Sequence, residues 1–283
     1  MRRLFLIALF GSLFLTGSAP AQSLAFALPA SGTVPLPDAG SADNSSPAAA
    51  ALPTSALLAP DTSSAALPRM SPDLALETYQ RRTALQATYL ASYSARTVIK
   101  AELPDSEQRG ELVVERHYTA PRTLEFKAVQ YNGDGFVKSN VITRVLQSEV
   151  DHVQKDDFSL TAISPVNYKF SYKGASQLDG RVVHAFQLKP RHKRVGLFKG
   201  RIYLDVHTGA LVCAEGSVAK SPSLFVSKIE FRQDYADFGS FTFPVHNHSE
   251  ARTRLIGRAI LDIDYRDYQP QSANVESATS GTF

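Results

Sequence analysis

The chain holds one cysteine, two methionines and no tryptophan in 283 residues. A single thiol, Cys213, cannot build an intramolecular disulfide framework, and it excludes zinc or iron–sulfur sites made from several cysteines. An excess of one charge is also missing, with 30 Lys and Arg against 27 Asp and Glu. Nucleic-acid recognition ordinarily shows a strong basic surplus, so it is not expected here. Nothing after residue 20 is apolar for long enough to cross a bilayer as a helix. No Gly-x-Ser-x-Gly elbow, phosphate loop or Gly-x-Gly-x-x-Gly fingerprint occurs. Hydrophobic residues make up 43% and charged residues 20% of the chain, which is ordinary globular usage.

What is present begins with an address. Met1-Arg2-Arg3 is a short basic start, Leu4 to Leu15 is apolar apart from Gly11 and Ser12, and Ala19-Pro20-Ala21 supplies small residues for a peptidase. This pattern predicts a signal peptide over 1–21, cleaved before Gln22, and a periplasmic or extracellular product. Serine stands at position 18, where a lipoprotein signal would carry cysteine, so no lipid anchor is expected by that route. Removing Arg2 and Arg3 leaves 28 basic against 27 acidic residues. An oxidising compartment suits a chain with one thiol.

Residues 22–70 contain 13 Ala, 8 Ser and 7 Pro with four charges, Asp38, Asp43, Asp61 and Arg69. Such a segment buries too little apolar surface to offset its ordering entropy, which predicts a disordered spacer. Leu24-Ala25-Phe26-Ala27-Leu28 within it is an alternative docking peptide. Residues 271–283 form a second weakly coded tail, leaving one folded domain over 71–270.

Ser71-Pro72-Asp73 is an N-cap followed by proline at the first helical position, and predicts a helix to about Tyr89 whose apolar stripe is Leu74, Leu85 and Tyr89. A second helix is expected from Asp134-Gly135-Phe136, with Val137, Val141, Ile142, Val145 and Leu146 inward and Lys138, Arg144 and Glu149 outward. Almost everything else alternates with period two. Ile202, Leu204 and Val206 alternate with Arg201, Tyr203 and Asp205. Ile229 and Phe231 alternate with Lys228, Glu230 and Arg232. Leu261, Ile263 and Tyr265 alternate with Asp262, Asp264 and Arg266. Val166, Tyr168, Phe170 and Tyr172 alternate with Asn167, Lys169, Ser171 and Lys173. Weaker runs occur at 95–103, 110–119, 123–131, 182–189, 211–219 and 240–254, punctuated by turn signals such as Asp179-Gly180 and Thr208-Gly209. The expected fold is α+β, mainly β. It is a large curved antiparallel sheet of about ten strands, an incomplete barrel, with two helices covering its concave face.

Ser221-Pro222-Ser223, Asp234-Tyr235, the run Phe238-Gly239-Ser240-Phe241-Thr242-Phe243-Pro244, and Ile256-Gly257-Arg258 leading to Asp264-Tyr265-Arg266-Asp267-Tyr268 resemble the bacterial outer-membrane lipoprotein-sorting carriers (LolA-like proteins). So does Gly200-Arg201-Ile202-Tyr203-Leu204-Asp205 with its Thr-Gly turn. The resemblance covers about 71–268 and is one of pattern and order. It implies a periplasmic protein whose incomplete barrel, closed by helices, surrounds an apolar cavity for acyl chains. The long spacer is not part of that family's pattern.

Candidate lining residues for such an interior are Leu112, Val114, Leu124, Phe126, Phe170, Phe186, Ile202, Leu204, Ile229, Phe231, Leu261 and Ile263; periodicity alone does not say whether the interior is packed or open. Arg116 falls in phase with Leu112 and Val114, and either snorkels to solvent or grips a ligand carbonyl inside. Lys189 to Arg201 concentrates Lys189, Arg191, His192, Lys193, Arg194, Lys199 and Arg201 in a hairpin connection. Lys193, Arg194, Phe198 and Lys199 are the candidate contacts to lipid headgroups or a partner, with Val195 and Leu197 beside them. His246, His248 and Glu250 share a strand face with metal-ligand spacing, but Arg252 and Arg254 continue that face and oppose a cation. Cys213, between Val212 and Ala214, reads as a small buried thiol. The acid pairs Asp156-Asp157 and Asp262/Asp264 read as a loop and a solvated strand face. The sequence therefore predicts a non-enzymatic, monomeric carrier of an acylated lipoprotein or lipid, without metal or cofactor, served by a membrane-associated donor or acceptor protein. An envelope interaction or sensor module on the same fold is the first alternative, and an unrecognised hydrolase the second.

Overall fold

A computed structural model describes residues 68–155, 158–221, 226–254 and 256–273. The leader, nearly all of the spacer, the tail beyond 273, Asp156-Asp157 and Pro222-Ser223 lie outside the described residues.

Ten strands form one antiparallel sheet in the order β3-β2-β1-β10-β9-β8-β7-β6-β5-β4. Helix α1 (Pro72–Tyr89) leads directly into β1 (Leu90–Leu103). Strands β2 (Gln108–Thr119) and β3 (Thr123–Gly133) complete a three-strand meander. The chain then crosses to the far edge through α2 (Gly135–Val137), a π-helical turn (Lys138–Ile142), α3 (Thr143–Lys155) and the short α4 (Phe158–Thr161). A second meander follows: β4 (Tyr168–Leu178), β5 (Arg181–Pro190), β6 (Phe198–Asp205), β7 (Leu211–Val218), β8 (Val226–Phe238), β9 (Phe241–Thr253) and β10 (Gly257–Ser272). Strand β10 pairs with β1 and closes the two meanders into one sheet, leaving β3 and β4 as its edges. This is the expected open, mainly β architecture. The helical crossover joins the two free edges.

The turns follow their residues. Asp179 and Gly180, both at positive φ, make the two-residue β4–β5 hairpin, a conformation that Gly and Asp tolerate best. Gly200 and Gly216 are registered opposite one another on β6 and β7, and a Cβ on Gly200 would clash with the Glu215 carbonyl oxygen. Only glycine permits this backbone approach.

Helix α1 starts as its sequence dictates, with Ser71 Oγ accepting from the Leu74 N–H at 3.3 Å. Its buried face is not the expected one. Leu74, Leu85 and Tyr89 are 48%, 47% and 41% exposed, while Ala75, Thr78, Tyr79 and Gln86 are buried. The three apolar residues do share a face, but the helix is fixed by its other side. There the Gln86 side chain donates to Thr242 O at 3.0 Å and accepts from Thr242 N–H at 2.8 Å. Tyr79 packs into the core beneath β6.

The crossover helix buries Val137, Val141, Ile142, Val145 and Leu146, as its spacing predicts. Glu149 departs from expectation. It is buried rather than outward, because it lies four residues after Val145 and so on the same helical stripe. The β4 reading also shifts. Val166 lies in the preceding turn at 75% exposure, and Asn167 is buried, donating to Ser159 O and Ala162 O at 2.9 Å each. No helix among the described residues is long and apolar enough to cross a membrane.

Candidate functional site

The concave face carries two apolar clusters. One spans β1, β2, β3, β9 and β10 and is covered by the crossover helix through Val141, Ile142, Val145, Leu146 and Val150. The other spans β4 to β8 and is covered by Tyr79 of α1. Leu112, Val114, Leu124, Phe126 and Ile263 are buried in the first cluster, with Leu261 packed on its margin. Phe186, Ile202, Leu204 and Phe231 are buried in the second, with Phe170 on its margin. Ile229 is buried outside both. The helices therefore lie on these side chains in this conformation, and a ligand reaches the wall only by displacing them.

Arg116 points into this interior and is 3% exposed. Its guanidinium donates from Nη1 to Glu149 Oε2 at 2.5 Å and from Nε to Tyr93 Oη at 2.9 Å. The rings of Phe126, Tyr265 and Tyr93 surround it at 5.3, 5.7 and 5.9 Å. Burial alone would lower the guanidinium's pKa, but the Glu149 carboxylate together with Tyr93, Tyr265 and Tyr268 outweighs this and holds it well above its ordinary value. Of the two sequence readings of Arg116, the structure overturns the snorkelling one: the residue sits inside, as the other expected, and α3 brings it a carboxylate there. A buried pair of this kind adds little net stability over an apolar core, but breaking it is costly.

A polar stripe crosses the inner wall beside this pair. Thr97 of β1 is registered with Tyr265 of β10, and Asn247 of β9 lies between Ile263 of β10 and Gln233 of β8. Thr97, Asn247, Tyr265 and Gln233 are 1%, 0%, 3% and 5% exposed. Sequence reasoning missed this stripe. The available signal was the odd-numbered phase that Asn247 shares with Phe243, which placed it opposite the two flanking histidines.

The convex face is polar. His246 and His248 project there, each held by an aspartate across the β9–β10 ladder, to Asp264 at 2.9 Å and to Asp262 at 2.6 Å. Glu250 is engaged by Arg258 through two 2.7 Å contacts, and this bond holds its carboxyl below the usual range. Arg232 bridges Asp179 and Asp234 over a small outer apolar cluster containing Cys213. Cys213 is fully buried, as its sequence reading expected, and burial pushes its thiol far up. A groove of about 370 Å³ lies on this face around Gly200 and Gly216, walled by Gln187, Lys199, Arg201, Glu215, Ser217 and Glu230.

The basic hairpin divides. Lys193 and Lys199 are exposed, and Arg194 is half-buried with its Nη1 donating to Leu160 O at 3.3 Å. Phe198 and Leu197 are not available to lipid: at 3% and 0% exposure they are core residues, Phe198 packing on Tyr168 and Phe231. Alternation explains this, since Phe198 is in phase with Ile202 and Leu204 on the inner wall. In exchange the fold brings Lys169 of β4 beside two cations of the hairpin stretch. Lys169 and Lys189 are direct ladder partners on β4 and β5, and Lys199 sits one step past the registered pair Leu188–Gly200, level with Lys189.

No family model matches the sequence, and no curated protein matches it. Among solved structures, a domain ascribed to outer membrane lipoprotein sorting from Vibrio parahaemolyticus aligns at 12% identity and a TM-score of 0.38, covering 73% of this chain and 96% of that one. A LolA superfamily protein from Nitrosomonas europaea aligns at 11% identity and a TM-score of 0.34, covering 72% and 96%. A DUF1329 family protein from Desulfovibrio piger aligns at 10% identity and a TM-score of 0.38, covering 71% and 93%.

Proposed function

We propose that the chain is a non-enzymatic carrier of the bacterial envelope, exported by its leader, that holds the acyl chains of a lipoprotein or lipid against the concave wall of its sheet. One observation carries the reading. The wall is divided into two apolar clusters, each covered by a different helix, and the cover of the first is clamped by a buried Arg116–Glu149 pair rather than by apolar contact alone. When the crossover helix swings off, acyl chains replace its valines and leucines on the wall. Each buried methylene contributes about 0.8 kcal/mol, so two or three chains suffice for tight binding. The motif resemblance to lipoprotein-sorting carriers points the same way.

The test is native mass spectrometry with solvent extraction of the full exported chain, purified gently from its own envelope, followed by titration with a fluorescent fatty acid. Stoichiometric lipid or acylated peptide is expected. Charge introduced at the half-buried margins, Phe170→Asp and Leu261→Asp, should abolish uptake while unfolding stays cooperative. A clean apo mass with no fatty-acid uptake would sink the carrier reading.

A second reading, an interaction module, is favoured by the outer lysine row. Lys169, Lys189 and Lys199 face one another across three strands, and like charges directly opposite are destabilising unless an anionic partner meets them. None of the three makes an ion pair among the described residues. Reversing them to glutamate should leave fatty-acid uptake intact, and should abolish capture of a protein partner only if this second reading holds.

A further inference from the structure

The inner wall contains polar groups that its own packing does not use. Asn247 is 0% exposed, and neither its Oδ1 nor its Nδ2 has a hydrogen-bond partner among the described residues. The Thr97 hydroxyl, at 1% exposure, and the Tyr265 hydroxyl, at 3%, are likewise unpartnered. The three belong to one patch. Thr97 and Tyr265 are direct ladder partners on β1 and β10, and Asn247 is opposite Ile263, two residues from Tyr265 on the same face.

Their position is as informative as their chemistry. Helix α1 touches β6 and β9, and the crossover touches β3 through α3 and β1 and β2 through α2 and the π-helical turn, so the patch on β1, β10 and β9 lies where the two covers approach one another. On the β2 side the neighbouring polar group, Arg116, is already engaged by Glu149 and Tyr93. The Tyr265 ring borders that clamp, 5.7 Å from the guanidinium, while its hydroxyl takes no part in it. Leaving a buried polar group unpaired is destabilising, and an apolar residue of similar shape would remove that cost. A wall meant only to touch hydrocarbon would have apolar residues here.

Resting on the carrier reading above, we infer that Thr97, Asn247 and Tyr265 form a polar subsite in the acyl-binding wall that recognises an amide linkage, so that the preferred cargo is an N-acyl chain rather than a plain fatty acid. Asparagine matches an amide reciprocally: its Nδ2 donates to the ligand carbonyl while its Oδ1 accepts from the ligand N–H. The two hydroxyls each donate or accept as the pose requires. An ester, with acceptors only, would leave Asn247 Oδ1 unmet.

The experiment titrates the full exported chain with two probes of equal length and charge, N-palmitoylglycine and nonadecanoic acid, which differ by the amide. Two neutral hydrogen bonds at about 1 kcal/mol each predict a preference of roughly tenfold or more for the amide. Asn247→Leu should erase that preference while nonadecanoic acid still binds. Thr97→Val and Tyr265→Phe, which keep the packing shape, should each reduce it in part and keep the inference testable if Asn247→Leu fails to fold. Equal affinity of the native chain for both probes would overturn the inference while leaving the carrier intact, as would an Asn247→Leu variant that loses both probes alike. If neither probe binds, the carrier reading falls first and the subsite with it.

Discussion

Glu149→Leu is the sharpest perturbation of the interior. Arg116 and Glu149 are each 3% exposed and joined at 2.5 Å, so removing the carboxylate strands a guanidinium in the core. Breaking a buried pair costs about 3–5 kcal/mol. Three aromatic rings remain within 5.9 Å of the guanidinium and recover about 1–2 kcal/mol of this. The expected loss is therefore about 2–4 kcal/mol, read from urea unfolding followed by tyrosine fluorescence. Arg116→Met alone leaves the carboxylate unpaired and should cost about as much. The double variant Arg116→Met/Glu149→Leu should return to within about 1 kcal/mol of the native chain or exceed it, because two apolar side chains need no partner. If both single changes cost less than about 0.5 kcal/mol, or if the double change costs the sum of the singles, the pair is not the buried, coupled clamp described above. The same variants report on opening. Glu149→Leu should accelerate fatty-acid uptake, whereas a purely structural pair would change stability without changing the uptake rate.

Two further outcomes are expected. Gly200→Ala should destabilise by about 3 kcal/mol in urea melts, because the new methyl meets backbone on β7 that cannot move aside, whereas Gly135→Ala, with nothing within 4 Å, should be near neutral. Burial raises the phenols of Tyr79, Tyr118, Tyr168, Tyr235, Tyr265 and Tyr268, that of Tyr168 to about 12. Stability from these groups is complete below pH 10, where unfolded tyrosine begins to ionise, and is lost as pH rises through the folded values. The phenolate absorbance of these six buried tyrosines should therefore appear in one step together with unfolding, and their gradual ionisation in the folded chain would contradict it.

Much of the fold was legible because its signals are local. Alternation along Arg201–Val206 or Asp262–Arg266 states which side of a strand is wet, and Asp179-Gly180 states where it turns back. The α1 boundaries followed from Ser71 and Pro72, yet its orientation did not, because a polar side chain, Gln86, docks it through backbone contacts on a strand 156 residues away. Phe198 and Glu149 were misplaced for a shared reason. Each was assigned by the character of its neighbours, basic for Phe198 and polar for Glu149, when its phase with Ile202 or Val145 already placed it inside. The lining residues stood out by hydrophobicity. The polar stripe did not, since Thr97, Asn247 and Tyr265 meet only when β1, β9 and β10 are paired.

The place of β10 has a bearing on how the molecule comes into being. It is the tenth strand along the chain but lies fourth in the sheet, between β1 and β9, so that Ser92 meets Gln271 across 179 residues of sequence. Until β10 arrives, β1 and β9 each expose a raw edge, and the two meanders cannot join. Such distant pairings make folding slow, since the entropy of closing the long loop is lost before the contacts repay it. A chain threaded through a membrane from its N-terminus would thus stay open and pliable until nearly all of it had passed. Its sheet would be completed only once β10 had emerged.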